Sequence, residues 1–375
     1  MSVSHRYPSL DGLRGIASLS VVITHFQLIF LLIIPNEGSL KYDSPIFKII
    51  MSSFNGHFAV CVFFVLSGVA LTSGFERYRT NEYISTSILK RYFRLTPVIL
   101  FSITFSFIIY KIGGYKYVEM ARFIDNNKWI SSLFPANMDI MPALYQGMAG
   151  SFLGDFSYNG VLWTMQFEMW GSIGLLLFCS IFYFNKHFTK IAFITVACLI
   201  YMRGEYGIYY ALFICGAICL KLKNYKSTPL LILPALYLGY QIYSSDLVIL
   251  LTEQQQKMNL NLGFPIEYLL HAIGAMILTY SVMTSKVLIE LLSKRMLVWL
   301  GEISFPLYAV HLPILASLGF SIFIGTHEYI GVKAAAILCM VTSLIASIAL
   351  SQLISKYIDT PAQTKSAELM NRLSL

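Results

Sequence analysis

Charge is what this sequence lacks most. Of its 375 residues only 12% are Asp, Glu, Lys or Arg, while 57% are apolar and the mean hydropathy is +0.66. Soluble domains carry about 25% charged residues and need them to solvate their surface. The composition therefore excludes a soluble globular protein, whereas a lipid-facing surface needs no charge. Cysteine is sparse and unpaired in pattern: all six lie inside apolar runs, so neither a disulfide framework nor a metal site is suggested. The seven histidines are scattered without ligand spacing, and no metal is implied. A phosphate-cradling G-x-x-x-x-G-K-[ST], an H-E-x-x-H and a G-x-S-x-G are all missing, so ATP-driven transport, zinc proteolysis and a serine-hydrolase elbow lack their usual signatures. No internal repeat of the inverted-repeat transporter kind is visible. No polar, Pro- or Ser-rich linker divides the chain, which reads as a single membrane domain over 1–375.

What is there is a series of long apolar runs. A spanning helix needs about 20 mainly apolar residues, and ten segments qualify approximately: 13–34, 57–75, 96–112, 161–184, 189–203, 206–220, 229–251, 264–284, 297–323 and 333–355. The fifth and sixth are short, which leaves an eight-span reading open. The expected fold is an all-α membrane protein of about ten transmembrane helices. Asp11 and Arg14 at the head of the first segment, and the absence of an A-x-A-like cleavage site, argue against a removable signal peptide.

Lysine and arginine orient the spans. With the N-terminus inside, 17 of the 27 fall in cytoplasmic segments and nine on the opposite side, with Arg14 at the membrane edge. Both termini are thereby expected in the cytoplasm. The net charge of +8 is spread over inner loops that anionic lipid attracts, so it is no nucleic-acid signal. The longest stretch between spans, about 113–160, is expected outside as a loop rich in aromatic, Gly and Pro residues, including Tyr115, Trp129, Phe134 and Tyr158. Such residues serve either as interfacial anchors or as platforms for sugars.

Ionisable side chains inside a spanning helix are costly and face protein or water, which makes each a candidate site residue. Asp11, Arg14, Ser18 and His25 share one stripe of the first helix, and His25 lies about 16 Å from Arg14 along the axis. This is either a structural ion pair plus a buried histidine or a functional face, and the continuity of the stripe in a bilayer favours the second. In the fourth span Trp163 precedes Thr164, Glu168 and Ser172, which share a face. Glu168 either snorkels to the outer interface or turns inward, where a carboxylate near an imidazole fixes its tautomer and holds its charge. In the ninth span Ser304, Tyr308 and His311 share a face, and Pro306 and Pro313 interrupt the hydrogen-bond ladder. Lys90, Arg91 and Arg94 stand just before the third span. Guanidinium forks bind phosphates, so a phosphate-rich cytosolic ligand fits; ordinary positive-inside anchoring is the competing reading.

These residues together resemble the acyltransferase-3 family of integral-membrane O-acyltransferases, which includes bacterial lipopolysaccharide and peptidoglycan O-acetylases. The resemblance is carried by Arg6-Tyr7-Pro8-Ser9-Leu10-Asp11-Gly12-Leu13-Arg14-Gly15 with His25, by Phe63-Phe64-Val65-Leu66-Ser67-Gly68, and by Arg91-x-x-Arg94 with Pro97. Leu162-Trp163-Thr164 with Glu168, and Gly301-x-Ile303-Ser304-Phe305 with Tyr308 and His311, extend it over almost the whole chain. It implies that Arg91 and Arg94, with Lys90 beside them, help hold acetyl-CoA or another acyl-CoA at the cytoplasmic face. It implies His25 as the catalytic imidazole, supported by Asp11 and Arg14. Trp163, Ser304, Tyr308 and His311 are the expected substrate-facing residues. Two details depart from the common pattern: Asp359-Thr360-Pro361 stands for a Glu-x-Pro, and Pro306 replaces a small polar residue. The chain stops at Leu375 without the hydrolase-like domain some members carry, so the membrane domain or a partner is expected to complete the transfer.

The expected activity is transfer of an acyl group, acetyl foremost, from cytoplasmic acyl-CoA to a hydroxyl of a cell-envelope or lipid-linked glycan on the outer side of a bacterial inner membrane. His25 would remove the hydroxyl proton or carry the acyl group as acyl-imidazole, with Glu168 orienting His25 or polarising the acceptor. The alternatives are a transporter or flippase built on the same intramembrane charges, and an acyltransferase acting on a small hydrophobic molecule.

Overall fold

The computed structural model describes residues 7–33, 54–78, 81–123, 133–135 and 137–373. Among these there is no strand, and seven helices are long and apolar enough to cross a membrane. The chain is an all-α, multi-pass membrane protein. Helix α1 (Pro8–Ile33) adds a further 26-residue helix, about 39 Å long, where the first span was expected. The expected spans at 57–75 and 264–284 are α2 (Gly56–Tyr78) and a later helix, Ile266–Thr284. The third, expected from residue 96, starts earlier, as α3 (Asn81–Lys111), because Pro97 does not stop it.

Other segments are shaped by local features. Those at 189–203 and 206–220 are two helices, as expected, within the stretch α6 (Phe188–Lys221); they meet at Gly204, whose φ of 55° and ψ of −129° only glycine adopts readily, and the fold back there brings Gly207 against the Leu199 carbonyl. The segment at 229–251 is not one span: it divides into α7 (Ile232–Gly239) and α8 (Asp246–Lys257), separated by polar Gln241, Ser244 and Ser245. The segment at 297–323 is interrupted at Ile303 between α11 (Arg295–Glu302) and α12 (Ser304–Ile314). Between α3 and α5 (Met165–Phe182) runs α4 (Ile140–Met148). After α8 come α9 (Ile266–Thr284) and α10 (Lys286–Leu292); after α12 come α13 (Phe320–Ile330), α14 (Val332–Ile354) and α15 (Thr360–Leu373).

The chain forms two compact units, each gathered from three stretches. The first comprises Met1–Ser20, Ser52–Ile88 and Phe167–Glu302. Its helices approach through small residues, as membrane helices do where lipid removes the hydrophobic drive for association. Gly216 of α6 sits against α2, where an added Cβ would lie 2.7 Å from Gly68 Cα. The N-terminal glycines work the same way: a Cβ on Gly15 of α1 would meet Gly301 N of α11 at 2.7 Å, and one on Gly301 would run into the Asp11 carbonyl.

The second unit comprises Val21–Met51, Leu89–Gln166 and Ile303–Leu375. Its core joins Val98 of α3, Ala309, Val310 and Ile314 of α12, and Ile354 of α14. Buried Ser343, Ser347 and Ser351, at four-residue spacing, give α14 a slim face. A π-helical turn follows Pro313 at Leu315–Gly319, and another precedes Pro361 at Ser355–Asp359; such turns absorb a break in the i→i−4 ladder.

The described parts of the stretch expected as an outer loop, 113–123, 133–135 and 137–160, include contacts along α3. At the C-terminal end of α3, Ser106 bonds the Tyr115 hydroxyl and the Tyr158 carbonyl, both at 2.6 Å. From there α4 runs back toward the N-terminal end: Gly147 rests on Leu100, and the Tyr92 hydroxyl donates to the Met148 carbonyl at 3.0 Å. Ser106 to Tyr92 is fourteen residues, about 21 Å of helix. The chain then turns at Gly154, whose φ is 92°, and returns to Asn159 beside Ser102. This hairpin, re-entrant along α3, has its arms tied together by Gln146, which accepts from Tyr158 N and donates to the Asp155 carbonyl. Tyr115, Phe134 and Tyr158 are buried in it rather than displayed as a platform, and Trp129 lies outside the described residues.

Candidate active site

His25 and His311, 286 residues apart in sequence, meet in the second unit. His311 is fully buried, and its Nδ1 lies 2.8 Å from the Tyr308 carbonyl and 3.2 Å from that of Leu307. Carbonyls only accept, so Nδ1 carries the proton and Nε2 of the neutral ring is the acceptor. That Nε2 faces His25 Nδ1 at 3.2 Å, and His25 Nδ1 also lies 3.0 Å from the Val21 carbonyl. His25 Nδ1 is therefore a donor as well. One backbone contact after another fixes both tautomers and leaves the accepting lone pair of His25 on Nε2.

Tyr308, one turn from His311, donates to the Val161 carbonyl and lies 3.0 Å from the Thr164 hydroxyl. Thr164 belongs to a 3₁₀ turn, Gly160–Thr164, whose N-cap Asn159 accepts from Val161 N. Trp163, half-buried, is in the same turn, and Ser304 is buried at the start of α12. The expected set Trp163, Ser304, Tyr308 and His311 thus lies within the second unit with His25.

The two prolines of the ninth span act differently. Pro306 stands in the first turn of α12, where an N–H has no helical partner in any case, so it breaks nothing. Pro313 is four residues after Ala309 and removes the donor that the Ala309 carbonyl would have had. Ser102 Oγ at 2.6 Å and Asn159 Nδ2 at 2.7 Å donate to it instead. Sequence reasoning missed Ser102 and Asn159; the proline signalled an open carbonyl, but not which distant groups cover it.

Lys90, Arg91 and Arg94 occupy the α3 turns beside the tip of the re-entrant hairpin, which is fixed there by Tyr92. Lys90 is exposed and both arginines are half-buried, and Arg94 Nε is buried without a hydrogen-bond partner among the described residues. Arg94 precedes Ser102, which bonds Ala309, by eight residues or about 12 Å along the axis.

Asp11, Arg14 and Glu168 belong to the first unit. Asp11 Oδ1 and Arg14 Nη1 pair at 3.5 Å, and Ser18 turns back to its own helix at the Gly15 carbonyl. Glu168 turns inward: Ser67 of α2 donates to its Oε1 at 2.6 Å. Among the described residues no group of three His, Cys, Asp or Glu is placed to hold a metal ion.

A family model described as an acyltransferase domain, that of acyltransferase-3, matches residues 7–356. The chain belongs to the acyltransferase-3 family. The match includes residues of both units, and Asp359-Thr360-Pro361 lies just beyond it. Curated proteins and solved structures give no significant match. The family assignment and the apolar helices make this protein a multi-pass membrane acyltransferase.

Proposed function

We propose that this acyltransferase moves an acyl group, acetyl foremost, from acyl-CoA on the cytoplasmic side to a hydroxyl of a cell-envelope or lipid-linked glycan on the outer side of a bacterial inner membrane. The carrying observation is the His25–His311 pair, in which contacts with backbone carbonyls set the tautomers and make Nε2 the basic nitrogen of neutral His25 inside a membrane domain.

Arg91 and Arg94, with Lys90, hold the phosphates of the donor, since guanidinium forks match phosphate bidentately. The pantetheine arm lies along α3, carrying the thioester toward the level of Ala309 and His311. The acceptor oxygen attacks the thioester carbon as His25 Nε2 takes its proton; the C–O bond forms and the C–S bond breaks. His25 returns the proton to the departing thiolate, giving free CoA thiol. During the step, the Nδ1 proton of His25 bonds to His311 Nε2, which helps to hold the imidazolium charge, as a carboxylate does in hydrolytic triads. Tyr308, Trp163 and Ser304 shape the acceptor side.

The test is His25→Ala in cells supplied with labelled acetate. Incorporation into envelope glycan should disappear while the protein accumulates and unfolds at its usual temperature. Undiminished incorporation by that variant would refute the mechanism.

A further inference from the structure

A second set of polar side chains lies in the first unit, on helices that carry none of the residues discussed above as donor or acceptor ligands. Glu205 follows the Gly204 break in α6, and Tyr209, one turn on, donates to its Oε1 at 2.7 Å. The Tyr209 oxygen lies 3.0 Å from Nε2 of His57 at the start of α2. His57 Nδ1 lies 2.8 Å from His271 Nδ1 on α9, and His271 Nε2 lies 2.8 Å from the Gln241 carbonyl. Asn55 caps α2 by accepting from Phe58 N, and its Nδ2, with two hydrogens to give, lies 3.3 Å from the same Gln241 carbonyl and 3.1 Å from His271 Nε2. Around the chain stand Tyr268, stacked on His57 at 3.9 Å, and Cys61, with Sγ 3.8 Å from His57 Nδ1. Arg203 on α6 and Glu267 on α9 are the adjacent charges.

Counting protons along this chain decides what it does. Four contacts run from Glu205 through Tyr209, His57 and His271 to Gln241, and each needs one proton. The last belongs to His271 Nε2, because the carbonyl has none to give. An ionised Glu205 with a neutral tyrosine and two neutral imidazoles supplies only three, so one contact would be two lone pairs face to face, costly where water cannot intervene. With His271 Nε2 donating to Gln241, a fourth proton satisfies all four contacts, and it can sit in three places without breaking any bond. With Glu205 protonated, Glu205 donates to Tyr209, Tyr209 to His57 Nε2 and His57 Nδ1 to His271. A shift of the Glu205 and Tyr209 protons leaves a carboxylate and makes His57 imidazolium. A further shift from His57 Nδ1 to His271 Nδ1 moves the charge to His271. Net charge is zero in all three.

We propose that Glu205, Tyr209, His57 and His271 form a proton relay, binding one transferable proton between a carboxylate at the α6 break and an imidazole pair among the helices. It goes beyond acyl transfer and rests on neither its donor nor its acceptor.

The full-length protein in nanodiscs, uniformly labelled with ¹⁵N-histidine, tests this by imidazole nitrogen spectra and by the infrared carboxylic-acid band. The relay predicts either an imidazolium pattern shared by His57 and His271 or a carboxylic-acid band, and loss of that signal in both Glu205→Gln and Tyr209→Phe. Tyr209→Phe keeps the ring packing against Phe64 and Phe167, so its melting temperature serves as the folding control. Two neutral imidazoles beside an ionised Glu205 in the wild type would overturn the relay, as would a protonated signal that survives Tyr209→Phe. Neither result bears on whether His25→Ala abolishes acyl transfer, so the two readings fail separately.

Discussion

His311 Nε2 stands 3.2 Å from His25 Nδ1, and the backbone carbonyls of Tyr308 and Val21 fix which of the two rings donates. His311 thereby acts on the reaction through His25, as a positioning residue. His311→Ala should lower kcat by about 10- to 100-fold, part of the 10²–10⁴ that general-base catalysis contributes. The KM for acyl-CoA should change little. His311→Gln keeps an accepting oxygen and should recover part of the loss; steady-state kinetics on purified protein, with equal effects on kcat and KM, would show that His311 serves binding instead.

Arg91 and Arg94 are expected to govern donor affinity alone. Each charge-assisted contact is worth about 1.5–3 kcal/mol, so Arg91→Ala or Arg94→Ala should weaken acyl-CoA binding by about 10- to 100-fold. Replacement by lysine should restore little, because an ammonium does not reproduce the planar fork. Equilibrium binding of acyl-CoA to the detergent-solubilised protein measures this directly, and unchanged affinity in the double variant would remove both residues from the donor site.

Asn159 matters because Pro313 leaves a carbonyl open. Asn159→Ala should cost about 1–3 kcal/mol, the penalty for a buried group that loses its partner, seen as a lower unfolding temperature. In a Pro313→Ala background an N–H is again available to the Ala309 carbonyl, and the same substitution should cost much less. A thermal-unfolding double-mutant cycle reads the difference, and strictly additive effects would separate Asn159 from Pro313.

Gly301→Ala places a methyl group against the Asp11 backbone. Overpacking of this kind costs about 1–3 kcal/mol, and it acts on the α1–α11 contact that positions the Asp11–Arg14 pair. Thermal unfolding should report the loss; a variant as stable as wild type would mean that α1 shifts freely along α11.

Helices whose apolar runs end in polar residues, such as α2, α9 and α14, were legible in the sequence because burial and length set both ends. The two helices that meet at Gly204 were legible as two short apolar runs; the backbone geometry that joins them was not, since glycine is also common inside membrane helices. Glycine, proline and aromatics between 113 and 160 do not reveal how the described residues pack; the contacts of α4 with Leu100 and Tyr92 come from side chains far along the chain. Asp11, Arg14, His25 and Glu168 stood out because charge in lipid is rare. Ser67, the partner of Glu168, did not, being ordinary in composition, and neither did Asn159 at the Ala309 carbonyl; the chain from Glu205 to His271 draws on three helices whose adjacency no local pattern encodes.

The Ala309 carbonyl also imposes an order on assembly. Its two donors, Ser102 and Asn159, precede it in the chain by 207 and 150 residues. When α12 leaves the ribosome, both are already synthesised, and an acceptor that lipid would penalise has somewhere to dock on arrival. Were the proline in α3 and the covering side chains at the C-terminus, the helix would have to wait in the bilayer with its ladder open. Biogenesis of this unit can therefore proceed from the N-terminal side without a stage in which that carbonyl is stranded.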